Sequence, residues 1–291
     1  DHDIEIRTSI LPGAYGESIV LRLLNPATIA LPLEKLGMEE KLLKVLDHEI
    51  KKPNGMILTT GPTGSGKTTT LYAFLRKIHT PEIKIITIED PIEYHLPGIV
   101  QTQVDKKNYT FAKGLRSGLR QDPDVIMVGE IRDGETAELA IHAALTGHIV
   151  LSTLHTNNAV GVIPRLVDMG IQTFLLPSSL NLMMSQRLLP KLCQNCRKAE
   201  KAPAAVEAII KKEIEKIPKE YLDELKKEIK NLEGPYEIYH SPGCEACKGK
   251  GIKGRIAIFE VLQMTRQLEE IINTNPVENK IWEEAKRQGM I

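Results

Sequence analysis

Met56-Ile57-Leu58-Thr59-Thr60-Gly61-Pro62-Thr63-Gly64-Ser65-Gly66-Lys67-Thr68-Thr69-Thr70-Leu71 decides the reading of this chain. It runs from apolar strand through glycine-rich loop to helix start. Gly61, Gly66, Lys67 and Thr68 occupy the fixed positions of the G-x-x-x-x-G-K-[ST] phosphate loop. The glycines let the backbone turn tightly, so its N–H groups point inward at a polyphosphate. The helix that follows adds its positive N-terminal end. Gly61, Pro62, Thr63, Gly64, Ser65, Gly66, Lys67, Thr68 and Thr69 form the expected cradle. Lys67 is placed to reach the β- and γ-phosphates, and Thr68 to offer its hydroxyl to Mg²⁺. A strand before and a helix after are the context the motif requires, so a nucleoside triphosphate is the expected ligand.

Outward from this stretch, short apolar runs alternate with helical patterns. Strands are expected at Met56–Thr60, Lys84–Ile88, Val125–Val128 and Ile149–Thr153. Ile99–Val104 reads as a hairpin arm. Helices are expected at Glu39–Ile50, Lys67–Ile78, Phe111–Arg120, Gly134–Leu145, Ala159–Met169 and Phe174–Leu188. Such alternation implies a parallel sheet covered on both faces. Ligands bind beyond the carboxyl ends of such strands. The phosphate loop, Glu89-Asp90, Gly129-Glu130 and His155 all follow strand ends, which points to one site. Before this core, residues 1–30 read as a strand pair with a linker, the tail of a domain whose beginning is missing. After it, Lys253–Leu262 reads as a strand. Pro276 suits the first turn of a last helix and Gly289 the position just past its end.

The chain has 291 residues, 42% hydrophobic and 26% charged, with 38 basic and 38 acidic side chains. That is ordinary for a globular protein of about two domains. The balanced charge and 4% aromatic content give neither a global basic field nor a stacking stripe, which argues against nucleic acid as a direct partner. No apolar run approaches the ~18 residues of a membrane span.

Hydrolysis of a phosphoanhydride needs metal ligands, a carboxylate to orient water, and cations for the developing charge. Asp124-Val-Ile-Met-Val-Gly129-Glu130 is an apolar strand ending in a carboxylate. Gly129 stands where an Asp often holds the metal's hydration shell, so that role is expected to pass to Glu89 or Asp90. Glu130 is the expected water-activating group, with Glu89 assisting. Arg116 and Arg120 lie one helical turn apart. They either face a nucleotide, their own or a neighbouring subunit's, or pair with local carboxylates. Arg132 is a further cation near the site, and His155 is placed to sense the γ-phosphate.

Four cysteines occur, in two C-x-x-C pairs: Cys193/Cys196 and Cys244/Cys247. Paired units of this kind suit a closed tetrahedral zinc site, although the gap between them is longer than in common zinc ribbons. Reduced thiols or two disulfides are the alternatives. Between the pairs, residues 204–232 carry two apolar stripes separated by Pro218, which fits an antiparallel helix pair.

Gly61–Thr70, Ile86–Glu93, Leu119–Asp133 and Thr146–Asn157 resemble the Walker A, Asp box, Walker B and His box of the type II/IV secretion ATPase superfamily. The cysteine pairs are similar to those of its assembly members (GspE/PilB), which power type II secretion and type IV pilus extension; retraction members lack them. The resemblance implies an α/β fold: a RecA-like P-loop NTPase core with a mostly parallel sheet. A fragment of an N2 domain (1–30) would precede the ATPase domain (31–188). A tetracysteine subdomain (189–255) with a helical insertion and a C-terminal strand and helices (256–291) would follow. It further implies ATP, Mg²⁺ and Zn²⁺ as cofactors and a homohexamer. The hexamer would sit in the cytoplasm, peripheral to the inner membrane, through a platform protein and a partner's cytoplasmic domain. By motif position Arg7 and Arg22 match N2 arginines near the phosphates, and Arg116, Arg120 and Arg132 match basic positions at the nucleotide or subunit interface. A nucleic-acid motor on the same core, or a low-turnover nucleotide-gated binding module, are the competing readings.

Overall fold

The computed structural model describes residues 5–24, 31–105, 107–217, 221–222, 225–226, 229 and 232–290. Its centre is a seven-stranded sheet of order β11-β8-β3-β7-β6-β4-β5. The strands are β3 (Gly55–Thr60), β4 (Ile85–Glu89), β5 (Val100–Gln103), β6 (Val125–Val128), β7 (Ile149–Leu154), β8 (Leu180–Leu192) and β11 (Ile252–Gln263). Six of them run parallel, and β11 is antiparallel to β8. Every residue of β3, β4, β6 and β7 is buried. That explains their continuous apolar runs, since helices cover both faces of a parallel sheet.

The helices are α1 (Glu40–Ile50), α2 (Lys67–Ile78), α3 (Phe111–Gly118), α4 (Gly134–Leu145), α5 (Val162–Asp168), α6 (Leu176–Ser179), α7 (Ala204–Ile214), α8 (Arg266–Thr274) and α9 (Glu278–Arg287). On one face Leu46 of α1 and Leu71, Phe74 and Leu75 of α2 pack with Ile57, Met127, Leu151 and Met184 of the sheet. On the other, Leu115 of α3, Ile141 of α4, Ile163 of α5, Ile272 of α8 and Ile281 of α9 pack with Leu58, Ile126, Val150 and Met183. Side caps start three of these helices: Thr110 Oγ1 accepts from Lys113 N, Asp133 Oδ1 from Thr136 N and Thr265 Oγ1 from Leu268 N.

Two expectations change. The helix expected over Phe174–Leu188 is only the short α6, followed by the 13-residue strand β8. Leu, Met and Gln are good helix formers, but the edge of β3 needs a parallel partner and β8 fills it, burying Leu180, Leu182, Met183 and Met184. Ile99–Val104 is not a hairpin arm: β5 lies parallel to β4 at the sheet edge.

The N-terminal strand pair is present as β1 (Glu5–Gly13) and β2 (Gly16–Leu24), antiparallel with Arg7 opposite Arg22. Between the cysteine pairs, β9 (Lys198–Lys201) pairs with β10 (Glu237–His240) and α7 is the first of the expected helices. Most of the second expected helix, and residues 25–30 of the linker expected over Asn25–Pro32, lie outside the described residues. Boundaries expected at 188/189 and 255/256 fall inside β8 and β11. Among the described residues no helix is long and apolar enough to cross a membrane.

Leu58 lies at the centre of the buried sheet with no exposure. Leu58→Ala should destabilise the chain by about 2–5 kcal/mol, read as a lower urea midpoint at unchanged slope.

Candidate functional site

The phosphate loop rises from the C-terminal end of β3, between β7 and β8. Gly61, Gly64 and Gly66 have φ of 132°, 78° and 92°, a region that strongly favours glycine. Gly66 is also pressed by a neighbour: a Cβ there would sit 2.9 Å from Gln186 Nε2. Gln186 itself is anchored by the Thr70 hydroxyl, which donates to its Oε1 at 2.8 Å. Ser65 Oγ is buried and makes no hydrogen bond, a polar group turned into a glycine-lined loop as a phosphate cradle requires. Lys67 Nζ lies over the loop, donating to the carbonyls of Gly61 (2.8 Å) and Pro62 (3.1 Å). Its burial lowers the ammonium pKa, and the charge of Glu130 works against that drop. Thr68 and Thr69 are half-buried in the first turn of α2, and Pro62 and Thr63 are exposed.

Glu130 follows β6 and stands next to this loop. Its carboxylate is bound on one oxygen by Arg132 Nη2 and faces His155 Nε2 at 3.3 Å on the other. Arg132 Nη1 also approaches Asp90 Oδ2 at 3.7 Å. Partial burial would raise the Glu130 pKa. The Arg132 guanidinium and, more weakly, His155 outweigh burial and hold it below the ordinary carboxyl value. The Arg132 pKa is raised in turn, chiefly through its hydrogen bond to Glu130. Lys67, Glu130, Arg132 and Asp90 therefore form one charged cluster beyond the strand ends, with the His155 imidazole beside Glu130.

Glu89 sits differently. It is 3% exposed and its carboxylate accepts from Tyr72 Oη, Thr87 Oγ1 and Gln101 Nε2. Arg116 pairs with Glu135 at 2.7 Å across two exposed side chains. Arg120 is exposed and has no partner among the described residues. The side chains of Arg7 and Arg22 lie outside the described residues.

Sequence reading missed three supports. Gln186 escaped because its strand reads as helix. Tyr72, on α2, gave no signal beyond its place four residues after Thr68. Thr60 also escaped: its hydroxyl engages Thr156, with Oγ1–Oγ1 at 2.7 Å and Thr156 N at 2.8 Å. That ties the last residue of β3 to the segment carrying His155.

Away from this site, β8 and β11 run side by side out of the sheet, with Ile252 opposite Leu192. The register brings the two knuckles together. All four cysteines are free thiols. Sγ separations are 3.9 Å for Cys193–Cys244 and Cys196–Cys247, and 3.8 Å for Cys244–Cys247. The four sulfurs lie within 4.8 Å of one another. Disulfides are ~2.05 Å long, whereas four thiolates ~2.3 Å from a tetrahedral zinc stand roughly 3.8 Å apart. Cys247 Sγ accepts the N–H groups of Cys244 (3.1 Å) and Gly251 (3.2 Å). These bonds, that of Cys244 first, draw its pKa down to about 6. Cys196 is pushed up to about 11, first by desolvation.

A phosphate loop at the centre of a mostly parallel sheet, with a cation-paired carboxylate at a nearby strand end, defines a P-loop nucleotide-binding α/β protein. A family model described as Type II/IV secretion system protein matches residues 1–290, and the chain belongs to that family. It is 46% identical over 288 residues to "Type II secretion system protein E" of Pseudomonas aeruginosa, covering 99% of this chain and 54% of that protein. It is 46% identical over 272 residues to "Type II secretion system ATPase E" of Vibrio cholerae, covering 93% and 50%. Against "Type IV pilus assembly ATPase PilB" of Myxococcus xanthus it is 42% identical over 292 residues, covering 99% and 48%. The chain thus spans about half the length of the curated relatives it matches. Among solved structures, the pilus retraction motor PilT with bound ADP superposes with a TM-score of 0.63 at 29% identity, covering 98% of this chain and 71% of that one.

The ionised Glu130 contributes stability that is present above the ordinary carboxyl value of 4.5 and is lost as pH falls through its lowered folded value. Arg132→Ala removes the main opposing cation. The Glu130 carboxyl ¹³C titration should then move to higher pH, and an unmoved midpoint would show that the pair carries no weight in solution.

Proposed function

We propose that this chain hydrolyses ATP to power assembly of a pseudopilus or type IV pilus in protein secretion. It would work as a hexameric ring at the cytoplasmic face of the inner membrane, docked on a membrane platform protein and a partner's cytoplasmic domain. The observation that carries the reading is the cluster at the strand ends. Lys67 lies over the glycine-rich loop, donating to its Gly61 carbonyl, and a carboxylate, Glu130, is within electrostatic reach of it.

In this reading the loop and Lys67 hold the β- and γ-phosphates. The Thr68 hydroxyl and a carboxylate, with Asp90 better exposed than Glu89, would hold Mg²⁺, whose charge offsets that developing on the phosphates. Glu130 orients the attacking water. Its lowered pKa makes it a carboxylate at neutral pH, an acceptor for the water's hydrogen bond and a weak base. That suits a loose transition state in which positioning matters more than proton removal. His155, hydrogen-bonded to Glu130, is placed to report on the γ-phosphate. Glu89 assists from below by fixing the loop that carries Asp90. Arg120, exposed and without a partner among the described residues, is the better candidate to reach a neighbouring subunit's nucleotide. Arg116 is held by Glu135.

The cysteine cluster fits zinc: four free thiols converge with the spacing of a tetrahedral set, and two backbone N–H groups already stabilise a thiolate at Cys247. Cys193, Cys196, Cys244 and Cys247 would hold the ion with no open position, so its role is to close the end of the β8–β11 arm. Metal binding of this kind adds on the order of 10 kcal/mol to local folding.

Lys67→Ala should abolish nucleotide binding by calorimetry. Glu130→Gln should keep binding and lose turnover by about 10²-fold or more; retained turnover there would remove Glu130 from the chemistry. For the second site, elemental analysis of chain purified without chelator should give one zinc per chain, released on titration of the thiols. Cys247→Ser should lose the zinc and lower the melting temperature while ATP still binds. A metal-free chain with no titratable thiols would overturn the assignment.

A further inference from the structure

Tyr72 lies on α2 four residues after Thr68, and so on the same helix face as a residue of the phosphate loop. It is fully buried, and buried phenols find hydrogen-bond partners. Tyr72 has two. Its hydroxyl donates to Glu89 Oε2 and accepts from the backbone N–H of Glu93 at 3.3 Å. These residues are the two ends of Glu89-Asp90-Pro91-Ile92-Glu93, the loop that leaves β4. A single hydroxyl therefore pins both ends of that loop to the helix that grips the phosphates.

The pin is itself held. The Tyr72 ring meets Tyr94 edge-on at 4.7 Å and 67°, and Arg76 lies 5.2 Å over the Tyr94 ring. Burial first, and then the charge of Glu89, raise the Tyr72 pKa, so its hydroxyl is a donor at neutral pH. Gln101 Nε2 reaches the other oxygen of Glu89 at 3.1 Å, and Gln101 Oε1 accepts from Leu96 N at 2.6 Å.

Asp90 sits between the pinned ends. Its Oδ2 faces Arg132 Nη1 at 3.7 Å, and Arg132 Nη2 binds Glu130 Oε1. A physical chain thus runs from the phosphate-loop helix through one hydroxyl to the Asp90 loop, then to Arg132, then to the carboxylate proposed to orient water.

We propose that Tyr72 is a positioning residue for hydrolysis: its hydroxyl locks the Glu89–Glu93 loop to α2, and so fixes Asp90, Arg132 and Glu130 relative to the phosphates held by that helix. The proposal rests on the ATPase reading above. Misplacing a reacting group by ~1 Å is enough to cost on the order of 10²-fold in rate, so a lock of this kind acts on turnover more than on binding.

Tyr72→Phe keeps the ring in the core and removes only the hydroxyl. In the full chain, kcat for ATP should fall by about fivefold or more. The Kd values for MgATP and for ADP should stay within about twofold, with the melting temperature still above that of the assay. The ¹⁵N resonances of the Arg132 guanidinium should shift or broaden in the variant, reporting its loosened pairing without any turnover. A smaller fall in kcat overturns the proposal, as does a fall matched by an equal loss of affinity. Should the unmodified chain hydrolyse no ATP, the ATPase reading fails by itself. The Arg132 resonances then decide the positional claim, and unchanged signals in Tyr72→Phe overturn it.

Discussion

The structure depends on the position of β3 between two parallel neighbours. With β7 on one side and β8 on the other, β3 has no solvent-facing edge, and all six of its residues are buried. Its chain can leave only at the carboxyl end, as the phosphate loop. The loop's shape is then dictated by what β8 places beside it. Gln186, braced by Thr70, leaves no room for a Cβ at Gly66, so the turn requires glycine both for its backbone angles and for the space left by a strand more than a hundred residues away.

The same sheet gives two carboxylates at adjacent strand ends opposite environments. Glu89, at the end of β4, is enclosed and surrounded by neutral donors. Glu130, just past β6, is partly exposed and flanked by the Arg132 guanidinium and the His155 imidazole. For Glu130, burial and charge pull in opposite directions, and charge wins because the Arg132 guanidinium sits at hydrogen-bonding range, with a further hydrogen bond from His155. Identical side chains thus take different surroundings: one is held by buried side-chain donors, the other lies within electrostatic reach of Lys67. The division follows from what packs on each, with Tyr72 of α2 and Gln101 of β5 closing over Glu89.

At the other end of the sheet, β8 and β11 continue past the core as a two-stranded arm. Cys193 lies directly after β8 and its N–H donates to Gly251 O at 2.9 Å, just before β11 begins. That bond sets the two C-x-x-C turns face to face although Cys193 and Cys244 are 51 positions apart. The long insertion does not disturb the cluster, because its own β9–β10 pairing returns the chain to where it left.

What local chemistry dictates can be read directly from the residues. The glycine and lysine spacing of residues 61–68 specifies a phosphate loop wherever a strand enters and a helix leaves. The unbroken apolar runs of β3, β4, β6 and β7 specify a sheet buried on both faces. The cysteine pairs specify converging thiols. Glu130 was legible as the carboxylate at a strand end. The remainder follows from how the elements pack. Leu180–Leu192 carries helix-forming residues, and it is a strand because the open edge of β3 offers hydrogen bonds and burial that outweigh a few tenths of a kcal/mol per residue of propensity. Gln186, Tyr72 and Thr60 act through contacts with residues 116, 17 and 96 positions away. No local pattern encodes such separations. The difference between Glu89 and Glu130 was equally hidden, because a carboxylate's role is set by the charge and burial around it, and those are properties of the packed sheet.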